Sequence, residues 1–164
     1  MTKIKFAMGV VLGGLLSLPT VAEANPGRFM GGGTVFGFNQ PCRDSGWSSH
    51  SEPFTVRYHP SNVGDNASRD FIGFLSDFIA FGYARESGTF SNSFQPVTQS
   101  GVTSNAWSIH QNHENAAQLR IMNMNPRNVN ENTRRPIRIR GQIRNFSGIQ
   151  GCNIRFEATV QQRQ

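Results

Sequence analysis

The sequence predicts a mainly β protein, built as a single antiparallel, sandwich-like domain with at most one amphipathic helix and one disulfide. Apolar and polar residues alternate along the C-terminal third, as they do in half-buried strands. The chain has 164 residues, a length that suits one domain rather than two. Its 37% hydrophobic and 16% charged residues exclude collagen and low-complexity chains.

The N-terminal segment, 1–24, has the features of a cleaved secretory signal peptide. Two lysines precede an apolar run at 6–18, and the small-x-small triplet AEA follows at 22–24. The apolar run is shorter than the ~20 residues that a helix needs to span a bilayer. We therefore expect cleavage after Ala24, a periplasmic or secreted mature protein, and no transmembrane anchor after cleavage.

Cleavage would change the source of the positive charge. The whole chain carries 16 lysines and arginines against 10 acids, a formal charge of +6. Removing two lysines and one glutamate with the signal peptide leaves 14 arginines, nine acids and a charge of +5. Arginine stays charged and forms paired hydrogen bonds to carboxylate and phosphate, so anionic partners are expected for this chain.

The elements that follow are predicted from composition and alternation. The glycine-rich stretch at 25–33 predicts a flexible leader, and the β domain is predicted to span 34–164. TVFGF at 34–38 predicts a first strand. Alternation over 54–58 predicts a second strand, which Pro60 ends. Further strands are predicted around 88–98, 102–109 and 118–124.

The apolar segment 71–81 admits two interpretations. On a helical wheel its large apolar side chains fall on one half, with Ser68 as the N-cap and Gly82 as the C-cap. Phe and Ile also favour strands, and a buried strand is apolar on both faces. We favour one amphipathic helix, spanning about 68–82 and covering a sheet.

The clearest strand signal comes from two C-terminal runs. Ile137, Ile139 and Ile143 alternate with polar residues, and a second apolar row alternates in the same way from 154 to 160. The segment NFSGIQG between the two runs carries turn-forming residues. These runs predict an antiparallel strand pair with an apolar inner face and an arginine-rich outer face.

Six arginines cluster in this region, and four of them fall on the predicted outer face. They are Arg134, Arg135, Arg138, Arg140, Arg144 and Arg155. We predict a cationic patch that binds an anionic polysaccharide, lipopolysaccharide or an acidic protein surface. The competing interpretation is a solvated face whose charge discourages aggregation. Nucleic acid is not an expected partner, because the aromatic residues alternate to the opposite face and leave no stacking platform.

The two cysteines, Cys42 and Cys152, are predicted to form a disulfide. Exported proteins mature in oxidising compartments, and an even number of cysteines there favours pairing. The alternatives are a metal pair or a reactive thiol, for which the sequence offers no CxxC spacing.

Residues that could support catalysis are sparse. His110 and His113 lie three residues apart and could bind zinc together with His50 or His59. The pattern is neither HExxH nor HxxEH, so we interpret it as a polar connection. The chain also lacks a GxSxG nucleophile motif. We therefore predict a protein that is not an enzyme and that uses no metal or other cofactor.

Two short segments resemble a known family of exported bacterial proteins. GTVFGFNQPC at 33–42 and FEATVQQ at 156–162 look like the first and last strands of fimbrial subunits. The resemblance implies an incomplete immunoglobulin-like sandwich that a neighbouring subunit completes by donating a strand.

Three functional hypotheses follow. The favoured one is an exported, non-enzymatic bacterial binding or structural protein whose arginine-rich face engages an anionic surface. The alternative is a fimbrial-like subunit that pairs through a sheet edge in a cell-surface assembly. The third and least favoured is a metal-dependent hydrolase that uses His110 and His113.

Overall fold

The computed structural model of the protein describes residues 27–47, 50–64, 68–77, 79–103, 106–110 and 117–162. The predicted signal peptide at 1–24 and His113 lie outside these residues. Within these residues the fold has ten strands and one short α-helix. They are β1 (Phe29–Phe36), α1 (Gln40–Asp44), β2 (Ser51–His59), β3 (Phe71–Leu75), β4 (Ile79–Ala84), β5 (Gln95–Pro96), β6 (Thr98–Thr103), β7 (Ala106–His110), β8 (Gln118–Asn125), β9 (Ile137–Arg144) and β10 (Asn153–Gln162).

The ten strands form one antiparallel sheet that nearly closes on itself. Their spatial order is β5-β8-β9-β10-β1-β2-β3-β4-β6-β7. β5 and β6 are separated only by Val97, yet β5 pairs with β8 and β6 pairs with β4. One stretch of chain thus connects the strand at one end of the sheet order, β5, to the strand next to its other end, β6. The prediction of a mainly antiparallel β fold is confirmed. A single curved sheet forms both of the facing layers, which in a sandwich come from two separate sheets.

Aromatic side chains fill the space between the facing layers. The Phe74 ring on β3 lies 5.1 Å from the Phe156 ring on β10, although two strands separate β3 from β10 in the sheet. The Trp47 ring packs 5.0 Å from that of Phe146, which lies between β9 and β10. The curvature of the sheet therefore produces a core that is packed with side chains.

The predicted helix at 68–82 is wrong, because this segment forms the β3–β4 hairpin. Ile72 pairs with Tyr83 and Phe74 with Phe81, and all four side chains are buried. The backbone N–H of Ser76 donates to the carbonyl of Ile79 at 2.9 Å across the connection. Aromatic and β-branched side chains pack well on a pleated surface, so the tertiary contacts favour two short strands over one helix.

The predicted leader at 25–33 is also wrong over its second half, because β1 begins at Phe29 and ends at Phe36. Its glycines allow close approach to neighbouring strands: a Cβ on Gly31 would lie 2.0 Å from the Thr159 carbonyl oxygen. β1 pairs along its whole length with β2 on one side and β10 on the other. β1, part of which resembles a fimbrial first strand, therefore has a paired strand of the same chain on each side.

The C-terminal strand pair and the disulfide are confirmed. Val160 pairs with Ile137 and Asn153 with Arg144, which matches the predicted runs. Cys42 and Cys152 form a buried disulfide with a Cα–Cα distance of 4.6 Å, joining α1 to the segment before β10. In the described part of the chain, no helix has the length and apolar character that a membrane span requires.

Candidate anion-binding face

The register of β9 and β10 places four of the six predicted arginines on one surface. Arg138, Arg140 and Arg144 lie at even positions along β9, and Arg155 lies on β10 opposite Gln142. All four arginines are exposed, whereas the isoleucines between them on β9 are buried. The predicted outer face thus exists as a continuous surface of the sheet.

A fifth arginine, Arg120 on β8, joins this surface and is not one of the six predicted arginines. Arg120 pairs with Gln142 in the sheet. The side-chain oxygen of Gln142 accepts hydrogen bonds from Nε and Nη2 of Arg120 at 2.9 and 2.6 Å. The alternation of Leu119 and Ile121, both buried, around Arg120 is the signal that could have found it. We call Arg120, Arg138, Arg140, Arg144 and Arg155 the arginine face.

The other two predicted arginines, Arg134 and Arg135, lie in the loop before β9 and are exposed. Arg134 donates to the Glu131 carbonyl oxygen at 2.8 Å and also to the amide oxygen of Gln162, at the end of β10. This loop therefore extends the positive surface beyond the strands.

Glu157 is the single acid among the outward residues of β8, β9 and β10, three strands that the structure describes in full. Its carboxylate lies 3.1 Å from the Nε of Arg140. The side chains of Arg140 and Glu157 are 64% and 48% exposed, so the pair contributes little to stability. The other arginines of the face have no carboxylate beside them on these strands. The arginine face therefore has a net positive charge.

A depression of about 400 Å³ lies at one end of the arginine face. Phe94, Arg120, Arg144 and Arg155 line it together with polar side chains that include Gln142 and Asn153. The guanidinium carbons of Arg144 and Arg120 lie 3.8 and 4.6 Å from the centroid of the Phe94 ring. We call this the Phe94 depression.

Backbone contacts to β8 hold Phe94 over the outer surface. The N–H of Ile121 donates to the Ser91 carbonyl at 2.8 Å, and Gln95 pairs with Leu119. The N–H of Ser91 also donates to the side-chain oxygen of Gln95 at 3.0 Å. Phe94 is therefore an aromatic on the outer surface that strand alternation could not predict, because it reaches the sheet from a loop.

A second depression, of about 440 Å³, lies along β1 on the same surface. Arg138, Arg140 and Glu157 border it, and small residues that include Gly32 and Thr159 line it. A Cβ on Gly32 would meet no atom within 4 Å, so the β1 backbone is open to contact there. The arginine face therefore combines two recesses with a row of cationic side chains.

Asp70 and His59, which lie away from this face, have displaced pKa values. Burial raises the pKa of Asp70, an effect that is partly offset because the backbone N–H groups of Phe90 and Ser61 donate to its carboxylate. Burial, followed by the charges of Arg28 and Arg57, lowers the pKa of His59. Neither group lines either depression, so both bear on stability rather than on this surface.

The histidines of the zinc hypothesis are spread over several elements. His50 precedes β2, His59 ends β2, and the backbone of His110 lies at the end of β7. Within the described ranges, no three His, Cys, Asp or Glu side chains come together as metal ligands would.

No family model, curated protein or solved structure matches the chain.

Proposed function

We propose that the protein is an exported, non-enzymatic bacterial protein that binds an anionic glycan through its arginine face. The observation that carries the proposal is the alignment of five arginines on one surface of β8, β9 and β10, where Glu157 is the single outward acid. A buried disulfide is compatible with export, because such bonds persist in oxidising compartments.

The residue types on this surface support an anionic rather than a neutral ligand. Guanidinium groups form planar, paired hydrogen bonds with phosphate, sulfate and carboxylate oxygens. Two recesses of about 400 and 440 Å³ give such groups places to lie against the sheet. A face that served only for solubility would need neither the recesses nor the ordering of Arg120 by Gln142.

The neutral polar residues favour a glycan over an acidic protein surface. Amide side chains accompany the arginines on all three strands and include Asn123, Gln142 and Asn153. Amides both donate and accept hydrogen bonds, as sugar hydroxyl groups do. Protein partners instead require a desolvated apolar centre, and Met122 is the one large hydrophobic side chain that is exposed in the described part of the chain.

Chromatography on immobilised heparin, a sulfated polysaccharide, tests this proposal. We expect the wild-type protein to be retained, and we expect the triple variant Arg138→Gln, Arg140→Gln, Arg144→Gln to elute at much lower salt. The matched control replaces Arg28, Arg69 and Arg127 by glutamine, which removes the same charge from exposed positions outside the strands. Equal elution of the two triple variants would show that net charge alone causes retention and would remove the proposal.

A further inference from the structure

We propose that the Phe94 depression is a subsite for one phosphate or sulfate group carried on a sugar. This inference rests on the proposed function and names the chemical group that the arginine face recognises. Three arginines, Arg120, Arg144 and Arg155, line the depression, and none of the described lining residues is acidic. The depression therefore concentrates positive charge that no protein carboxylate neutralises locally.

Two of the three guanidinium groups are positioned before any ligand arrives. Those of Arg120 and Arg144 lie over the same Phe94 ring, which places their carbons at most 8.4 Å apart, the sum of 3.8 and 4.6 Å. An anion between the two guanidinium groups would lie within the screening length, roughly 8 Å at physiological ionic strength, of each, so both charges would attract it. The ring attracts both cations and holds them near one another. Positioned side chains lose less freedom on binding, which favours affinity.

Hydrogen-bond donors remain for a ligand. Gln142 occupies Nε and Nη2 of Arg120 and leaves Nη1, while Arg144 makes one long contact, from Nη1 to Gln118 at 3.5 Å. The side chain of Arg155 forms no hydrogen bond or ion pair with another residue in the ranges that the structure describes. A carboxylate has two oxygens for three arginines, whereas phosphate and sulfate esters offer three, so the donor set fits a tetrahedral ester better.

The size and the other walls of the depression indicate that the ester is attached to a sugar. A volume of about 400 Å³ exceeds the space that one oxyanion fills and falls within the range of small-molecule sites. The side-chain amides of Gln142 and Asn153 belong to the lining and suit hydroxyl groups. The sugar that bears the ester would lie against these amides.

Isothermal titration with glucose 6-phosphate at low salt tests the subsite, with glucose and inorganic phosphate as comparison ligands. We expect glucose 6-phosphate to bind more tightly than inorganic phosphate, and glucose not to bind. Arg144→Gln should weaken glucose 6-phosphate binding about tenfold, because it removes a charged hydrogen bond. The control variant Arg127→Gln, at an exposed arginine outside both the arginine face and the depression, should change the affinity less than about twofold.

Equal weakening by the two single variants would overturn the subsite, and so would a wild-type protein that does not bind glucose 6-phosphate. Equal affinity for inorganic phosphate would overturn the assignment to a group carried on a sugar. Heparin retention that depends on the face arginines would leave the glycan-binding proposal intact in each of these cases. Retention that does not depend on them would remove the proposed function itself, so the two failures are distinguishable.

Discussion

The guanidinium carbon of Arg144 lies 3.8 Å from the centroid of the Phe94 ring. This contact joins the end of β9 to the loop between β4 and β5, two parts of the chain that are far apart in sequence. It places a half-buried aromatic ring among the cations of the outer face. The positions of the arginine side chains on this face therefore depend on a loop as well as on the strand register.

A double-mutant cycle should detect this contact as a coupling energy. Phe94→Leu keeps the apolar bulk and removes the aromatic face, and Arg144→Gln removes the cation. We expect the free energy of unfolding in urea to show a coupling of about 0.5–1 kcal/mol, the range for exposed cation–π pairs. The cycle of Phe94→Leu with Arg138→Gln, which lies outside the depression, should give a coupling near zero. Equal couplings in the two cycles would contradict the placement of Phe94.

Gly141 is predicted to be required for packing behind the arginine face. A Cβ at this position of β9 would lie 2.4 Å from the Phe156 ring and 2.6 Å from the Arg120 carbonyl oxygen. Gly141→Ala should therefore lower the free energy of unfolding by about 1–3 kcal/mol, as other overpacked core positions do. Gly32→Ala provides the control, because a Cβ there meets no atom within 4 Å. We expect the control to change stability by less than about 0.5 kcal/mol, and an equal cost for both would contradict this packing.

Asp70 is predicted to stabilise the β2–β3 connection and the β4–β5 connection. Its carboxylate accepts backbone hydrogen bonds from Ser61 at 2.7 Å and Phe90 at 2.6 Å, and the residue is 1% exposed. Asp70→Ala would leave two buried N–H groups without an acceptor. We expect each to cost about 1–3 kcal/mol in the free energy of unfolding, measured by urea denaturation.

The same variant also tests the pH dependence of this contribution. Burial raises the pKa of Asp70 above 3.8, so the folded state binds the proton more tightly than the unfolded state does. The stability that Asp70 contributes is then largest below pH 3.8 and declines as the pH rises through the folded-state pKa. The difference in unfolding free energy between wild type and Asp70→Ala should shrink as the pH rises from about 3 to about 7. A difference that grows over this range would mean that the hydrogen bonds outweigh burial.

The parts of this protein that could be predicted from sequence are those governed by local alternation. Ile137, Ile139 and Ile143 alternate with polar residues on a strand that is buried on one side, so both the strand and its arginines were predictable. The hairpin around Ser76 was not, because its two short apolar strands also fit half of a helical wheel. Phe94 could not be placed either, because its position depends on pairing between β5 and β8.

The salt dependence of binding to a size-defined heparin oligosaccharide tests the central claim most directly. Each arginine that contacts the polyanion releases bound counterions, so the logarithm of the affinity falls linearly with the logarithm of the salt concentration. We predict that the triple variant Arg138→Gln, Arg140→Gln, Arg144→Gln makes this slope shallower by about one for each arginine that no longer binds the polyanion. The triple variant at Arg28, Arg69 and Arg127 should keep the wild-type slope. If the two triple variants changed the slope by the same amount, that result would contradict binding through the arginine face.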